Sequence, residues 1–322
     1  MTAVGSLWNS RIGRRLKLRD LQILSAVVQW GSMAKAAGHL GMSQPAVSEA
    51  IAKLEDAVRV RLLDRSARGI EPTIYAEALL KRGNVVFDEL RQGIRDIEFL
   101  ADPTAGEVRI GCSETLMAGF VPAIIDQLAR RYPRIVVHAI TAQTAVQEFR
   151  ELRERSVDVM LGRLLKPVVD NDITTEIIGE DRRFVVAGEQ SPWARRRKIT
   201  LSELTNEPWI LYPPDNLVGS YFAEVFHANG LELPRASVIS FSLDVRMHLL
   251  ATGRFLTILG GFVLQYNAKR WSLRPLSIDL RVPPLPIAIF ALKNRTLSPV
   301  AQLFIEHAKA VAKSVTKTSW RI

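Results

Sequence analysis

Residues 31–54, GSMAKAAGHLGMSQPAVSEAIAKL, decide the reading of this chain. Just upstream, Leu21, Leu24 and Val28 stand at i, i+3 and i+7, one face of a first helix. Gly31 stops that helix, and Ser32 can cap the next by accepting an orphan backbone N–H. Ala34, Ala37 and Leu40 then form a narrow inner face, where small side chains let two short helices cross closely. Gly41-Met42 makes a tight turn. Ser43 caps a third helix with Pro45 in its first turn, where the missing N–H costs nothing. Val47, Ile51 and Leu54 point inward on that helix. Gln44, Ser48 and Glu49 are left outward near its N-terminal end, where a recognition helix meets base edges in the major groove. Such spacing by itself also fits a small packing domain.

Working outward, 322 residues suffice for two domains, and 48% hydrophobic with 24% charged residues is an ordinary globular balance. The formal charge is +10, and residues 1–73 carry eleven Lys and Arg against six Asp and Glu. That surplus attracts polyanions, nucleic acid among them. No apolar run approaches the ~20 residues that span a bilayer. The longest candidate, Leu249 to Leu264, is broken by Gly253, Arg254, Gly260 and Gly261. Arg14-Arg15 precedes Arg19-Asp20 rather than an apolar export segment, so a cytoplasmic protein without a membrane partner is expected. The single cysteine, Cys112, excludes an intramolecular disulfide framework and a Cys-based zinc finger. Five scattered histidines show no metal-ligand spacing. Neither a metal nor a cofactor is expected.

Residues 1–15 read as a flexible basic arm and 16–73 as a compact helical domain. A long helix is expected over 74–100, with an apolar stripe through Leu79, Val86, Leu90, Ile94 and Ile97. Residues 101–106, with Asp102-Pro103 and Gly106, break the pattern as a linker. Beyond it, short apolar strands alternate with amphipathic helices, which predicts βαβ units and a parallel sheet over 107–316, with 317–322 as a tail.

The run from Leu18 to Thr73 resembles the LysR-type family of transcriptional regulators. It carries Gly31-Ser32, Ala36-Ala37, Leu40, Ser43-Gln44-Pro45-Ala46-Val47-Ser48 and Leu54-Glu55, then Arg61-Leu62-Leu63, Arg65, Arg68-Gly69 and Pro72-Thr73. Gly106 to Gly111 and Asp158 to Arg163 fit that family's effector domain more loosely. The resemblance implies an N-terminal all-α winged helix-turn-helix with a long linker helix, then an α/β periplasmic-binding-protein-like domain of two Rossmann-like lobes. Lobe one is expected at 107–180 plus 283–316 and lobe two at 181–282. It implies double-stranded DNA, a small-molecule effector and RNA polymerase as partners, and a homodimer or homotetramer paired through the stripe on the long helix.

By position in the family pattern, Gln44, Pro45, Ser48 and Glu49 fall where relatives contact bases. Gln can bond adenine bidentately, and a proline ring can pack on a thymine methyl. Glu49 departs from the Arg, Gln or Lys of many relatives; it can accept from cytosine or repel phosphate. Ser32, Ser43 and Lys53 are candidate phosphate contacts, Lys53 being equally suited to solvent. Arg65 to Ile70 resembles a wing, a small hairpin whose turn Gly69 allows and whose Arg65 and Arg68 could enter the minor groove. Gly83 weakens the heptad of the long helix, and Ala76 replaces a glycine common among relatives.

In the sensing half, ligands sit where strand ends and helix N-termini converge between lobes. Ser113, Glu114 and Thr115 follow the first strand; Thr141, Gln143 and Thr144 follow the second. Each could hold a ligand or merely cap a helix. Arg163 could grip an anionic effector or close a structural ion pair. Tyr212, Ser242 and Phe262 follow strands of lobe two and complete the expected cleft. Leu161-Gly162-Arg163-Leu164 and Pro72-Thr73-Ile74-Tyr75 resemble regulators of galactose-binding protein and of the protocatechuate pathway, which implies a sugar or an aromatic or organic acid.

Two other classes fit less well. Gly111-Cys112-Ser113-Glu114-Thr115 begins like a nucleophile elbow but ends in threonine, and Ser32-Met33-Ala34-Lys35 matches S-x-x-K without its companion motifs. No catalytic residues are therefore expected. A solute-binding protein without DNA function would leave Leu18 to Thr73 unexplained. Cys112 as a redox sensor would lack a resolving cysteine.

Overall fold

The computed structural model describes residues 15–66, 69–142 and 148–317. It divides into two units, Met1–Arg91 and Gln92–Ile322. Arg68, Gln143 and Thr144 lie outside the described residues.

The first unit begins with helices α1 (Leu18–Trp30), α2 (Met33–Leu40) and α3 (Gln44–Val58). Gly31 and Gly41 end the first two at φ of 60° and 63°, a left-handed turn that glycine adopts without a Cβ clash. Ser32 Oγ accepts from Lys35 N at 3.5 Å and Ser43 Oγ from Ala46 N at 3.4 Å, so both expected caps are present. Leu24, Val27, Ala36, Ala37, Val47, Ile51 and Leu54 close a common core. The face of α2 differs from expectation. Because the helix opens at Met33, the inward positions i, i+3 and i+4 fall on Met33, Ala36 and Ala37, while Ala34 is exposed.

A hairpin follows, β1 (Leu63–Ser66) antiparallel to β2 (Gly69–Pro72), with Arg65 opposite Ile70. Glu55 Oε1 accepts from Leu62 N at 2.7 Å and Leu63 N at 3.3 Å, tying α3 to the start of this wing. Thr73 then accepts from Ala76 N at 3.3 Å and opens the long α4 (Ile74–Ala101). Ala76 is fully buried in the core of the first unit. Leu79 is half-buried against that same core, but Val86, Leu90, Ile94 and Ile97 are 42%, 48%, 58% and 68% exposed.

The second unit holds two five-stranded sheets. The first has the order β4-β3-β5-β12-β6, from β3 (Ala105–Cys112), β4 (Arg134–Thr141), β5 (Val159–Arg163), β6 (Ile173–Asp181) and β12 (Leu285–Leu292). The second has the order β11-β7-β10-β8-β9, from β7 (Arg183–Gly188), β8 (Trp209–Leu211), β9 (Ala236–Ile239), β10 (Leu256–Gly260) and β11 (Leu273–Pro275). Helices α5 (Glu114–Met117), α6 (Phe120–Arg131) and α7 (Arg150–Arg153) belong to the stretch between β3 and β5. Helices α8 (Leu217–His227), α9 (Leu243–Ala251) and α10 (Gly261–Asn267) follow β8, β9 and β10, and α11 (Pro299–Lys317) closes the chain.

The sheets are mixed: the βαβ units pair in parallel as expected, and antiparallel strands join them. β3 runs parallel to β4 and β5, and β8 parallel to β9 and β10. β12 is antiparallel to β5 and β6, and β7 antiparallel to β10 and β11. The physical reason lies in the connections. The chain passes from one sheet to the other between Asp181 and Arg183 and returns by Leu285, and a strand arriving from the neighbouring lobe enters at the opposite end.

Candidate functional site

Two surfaces carry chemistry, one in each unit. In the first, α3 presents Gln44, Pro45 and Glu49 to solvent, Ser48 half-buried beside them and Lys53 exposed one turn further on. Gln44 makes no hydrogen bond among the described residues, so its amide is free for an outside partner. Ser32 and Ser43 spend one oxygen lone pair each on their caps. Glu49 and Lys53 pair at 2.6 Å across one helical turn, and the hydrogen bond from Lys53 lowers the Glu49 carboxyl from its ordinary range. Two charges expected to act separately are thus partners in the folded chain.

In the second unit a cavity of about 380 Å³ opens between the two sheets, lined from both lobes. Ser113, Glu114, Thr115, Thr141 and Arg163 line it from the first lobe and Tyr212 from the second, so six of the expected residues come together. Arg163 is held by a carboxylate of the crossover. Its Nε donates to Asp181 Oδ2 at 2.7 Å, its Nη2 stands 2.7 Å from the same oxygen as an ion pair, and its Nη1 donates to Thr115 Oγ1 at 2.7 Å. Asp181 Oδ1 accepts from Phe262 N at 3.0 Å, so one buried carboxylate joins both lobes at the hinge. Of the two alternatives for Arg163, the ion pair is present.

Two expected lining residues lie elsewhere. Phe262 buries its ring in the core of the first lobe, edge-on to Phe120 at 4.9 Å, because it follows the N-terminal residue of α10 and turns inward. Ser242 caps α9, accepting from Val245 N at 3.4 Å. The cap leaves the Glu114 carboxylate at the same helix end, where it accepts from Leu243 N at 3.0 Å.

The walls contain residues that the sequence reading missed. Tyr221, Phe222, Phe241, Ile258 and Val263 make most of the lining apolar and aromatic. Tyr212 packs on Phe222 and Phe241 with centroids 4.8 Å and 5.4 Å away. Arg183 is nearly buried; it lies over the Tyr221 ring at 4.8 Å and pairs with Glu224 at 3.3 Å. Arg246, 1% exposed, stands over the Tyr212 ring at 4.4 Å. It donates to the Tyr212 hydroxyl, to Thr257 Oγ1 at 3.3 Å and to the Ile258 carbonyl at 2.9 Å. A signal for it was legible. Leu243, Met247 and Leu250 form the buried face of α9, and Arg246 interrupts that face.

Cys112, the last residue of β3, is fully buried, and burial pushes its thiol up to about 12. A thiol so buried and protonated is a poor nucleophile, which weighs against the redox-sensor alternative. The hydrogen-bond partner of Ser113 Oγ is the Thr115 hydroxyl at 3.3 Å rather than an imidazole. Among the described residues no helix is long and apolar enough to cross a membrane.

Comparison with known proteins bears on both units. Residues 18–77 match the family model of the bacterial regulatory helix-turn-helix protein, lysR family, and 101–313 that of the LysR substrate binding domain. The HTH-type transcriptional regulator GbpR of Azospirillum brasilense is 27% identical over 299 residues, covering 92% of this chain and 87% of its own. PcaQ of Agrobacterium fabrum is 28% identical over 221 residues, covering 68% of this chain and 70% of its own. The crystal structure of CbnR, a LysR family transcriptional regulator, aligns with a TM-score of 0.64 at 20% identity, covering 92% of this chain and 99% of that one. CbnR complexed with its target DNA aligns at 0.65 and 20% identity, covering 92% of this chain and all of that one. The capped tri-helical unit, the two-lobed domain and these matches agree, and the chain belongs to the LysR family of DNA-binding transcriptional regulators with an effector-binding domain.

Proposed function

We propose that α3 lies in the major groove of operator DNA, with Gln44, Pro45 and Ser48 at base edges and Ser32 and Ser43 against phosphates. Arg65 and Arg68, by their positions in the family pattern, enter the adjacent minor groove. In this reading residues 16–73 form the DNA-binding domain, 74–100 the pairing helix of a dimer or tetramer, and 107–316 the effector domain. An effector held between the lobes binds one lobe arrangement better than another and so shifts how the oligomer spaces or bends DNA. RNA polymerase is the further partner, the cytoplasm is the compartment, and no catalytic step is assigned to the chain.

The observation that carries this reading is Gln44: exposed at the N-terminal end of a capped and well-packed helix, with its amide unused within the described residues. The test is retardation of promoter fragments at low ionic strength by the full chain and by Gln44→Ala. The variant is expected to lose about 1–3 kcal/mol of discrimination at one base pair while keeping its general affinity. Failure of the unaltered protein to retard any promoter fragment overturns the reading.

A further inference from the structure

We propose that the cleft takes a monocarboxylate with an aromatic body, its carboxyl group meeting Arg246 and its ring lying among Tyr212, Phe222 and Phe241. This rests on the regulator reading only in taking the cleft as the effector site. Among the described residues the cleft contains three guanidinium groups, and two already have carboxylate partners. Arg163 pairs with Asp181 at 2.7 Å and Arg183 with Glu224 at 3.3 Å. Arg246 has none: its acceptors are a phenol, a hydroxyl and a backbone carbonyl, and its Nε has no partner. A buried cation without a counter-ion is electrostatically incomplete, and a bound carboxylate completes it with a charge-assisted hydrogen bond. The carboxylate already in the cleft does not serve, because Glu114 is exposed and engaged on Leu243 N.

The walls select the rest of the ligand. Tyr212, Phe222 and Phe241 form an aromatic cluster that suits a flat apolar body, and about 380 Å³ lies within the usual range for small-molecule clefts. A neutral sugar needs several free polar groups to bond its hydroxyls, and two that could serve are already engaged. Asn216 Oδ1 accepts from Val218 N and Gly219 N, and Thr115 Oγ1 accepts from Arg163. An acid is therefore favoured over a sugar.

The experiment is calorimetric titration of the full chain with benzoate, phenylacetate and cinnamate, each against its uncharged amide, and with galactose. At least one acid is expected to bind tenfold or more tightly than its amide. Arg246→Gln should bring that ratio near one, and Arg246→Lys should restore part of it. If Arg246→Gln does not fold, the acid-to-amide ratio in the unaltered protein still decides. Binding of galactose without any acid, equal binding of an acid and its amide, or no binding by any member of the panel overturns the proposal. Promoter retardation measured on the same preparation separates these outcomes from failure of the regulator reading, since DNA binding without a response to acids sinks only the ligand assignment.

Discussion

Glu49 and Lys53 neutralise each other across one turn of α3, with Oε1 and Nζ 2.6 Å apart. Both side chains are exposed, one turn apart on the helix that opens with Gln44. If α3 docks on DNA as proposed, the free protein offers it a closed ion pair here rather than two independent charges. Approach of a phosphate must compete with Glu49 for the ammonium, and Glu49 itself repels the backbone.

Glu49→Gln removes that competition. Lys53 then becomes available to one more phosphate per subunit, which steepens the slope of log affinity against log salt by about 0.9 for each additional phosphate neutralised. Fluorescence anisotropy over a salt series reads this directly. A slope equal to that of the unaltered protein would show that Lys53 never reaches the backbone.

Gly260→Ala should disturb the hinge. An added Cβ would overlap the Asp181 carboxylate and stand 2.8 Å from Arg163 Nη2, between the two groups that tie the lobes together. Overpacking of this kind costs about 1–3 kcal/mol. Urea unfolding should show a lower midpoint, and an unchanged midpoint would mean that the pair gives way freely.

Acid should loosen the first lobe through Asp158. Burial pushes its carboxyl up, but the hydrogen bonds and charge of Arg109 and the charge of Arg295 outweigh it and hold the group below its ordinary value. The guanidiniums stand 2.8 Å and 2.7 Å away. A carboxyl depressed in the folded state contributes stability that is fully present above its unfolded pKa of about 3.9 and is lost as pH falls through the lower folded value. Asp158→Asn should flatten that acid limb in thermal unfolding followed from pH 6 downward. An acid limb of the same steepness in the variant would assign the effect to other carboxylates.

Ile94→Asp tests the pairing helix. Ile94 is 58% exposed on the single chain, within a stripe that continues through Leu90 and Ile97. Burying an unpaired carboxylate in a helix seam is costly, so the mass measured by light scattering at micromolar concentration should fall by half or more. Retention of the full mass would move the interface off this stripe.

The DNA-binding unit is readable in the sequence because its signals are local. Gly31, Ser32, Gly41 and Ser43 mark helix ends within a few residues, and all four act as expected. Only the phase of α2 departs from the pattern, since the helix opens at Met33 and turns Ala34 outward. The cleft is less legible because its parts are distant in the chain. Thr115 meets Arg163, and Arg163 meets Asp181, through contacts that no short pattern encodes. The direction of β12 depends on a second crossing between lobes, not on its own composition. Phe262 follows a strand, as a ligand contact would, yet its ring fills a core. Arg246 is the one distant element with a local sign, a cation on an apolar helical face.

The inaccessibility of Cys112 has a practical consequence for watching this regulator move. A thiol sealed at 0% exposure and kept protonated should ignore maleimide dyes in the native protein. Fluorophores attached at two introduced surface cysteines, one on each lobe, would then report closure by energy transfer without replacing the natural residue.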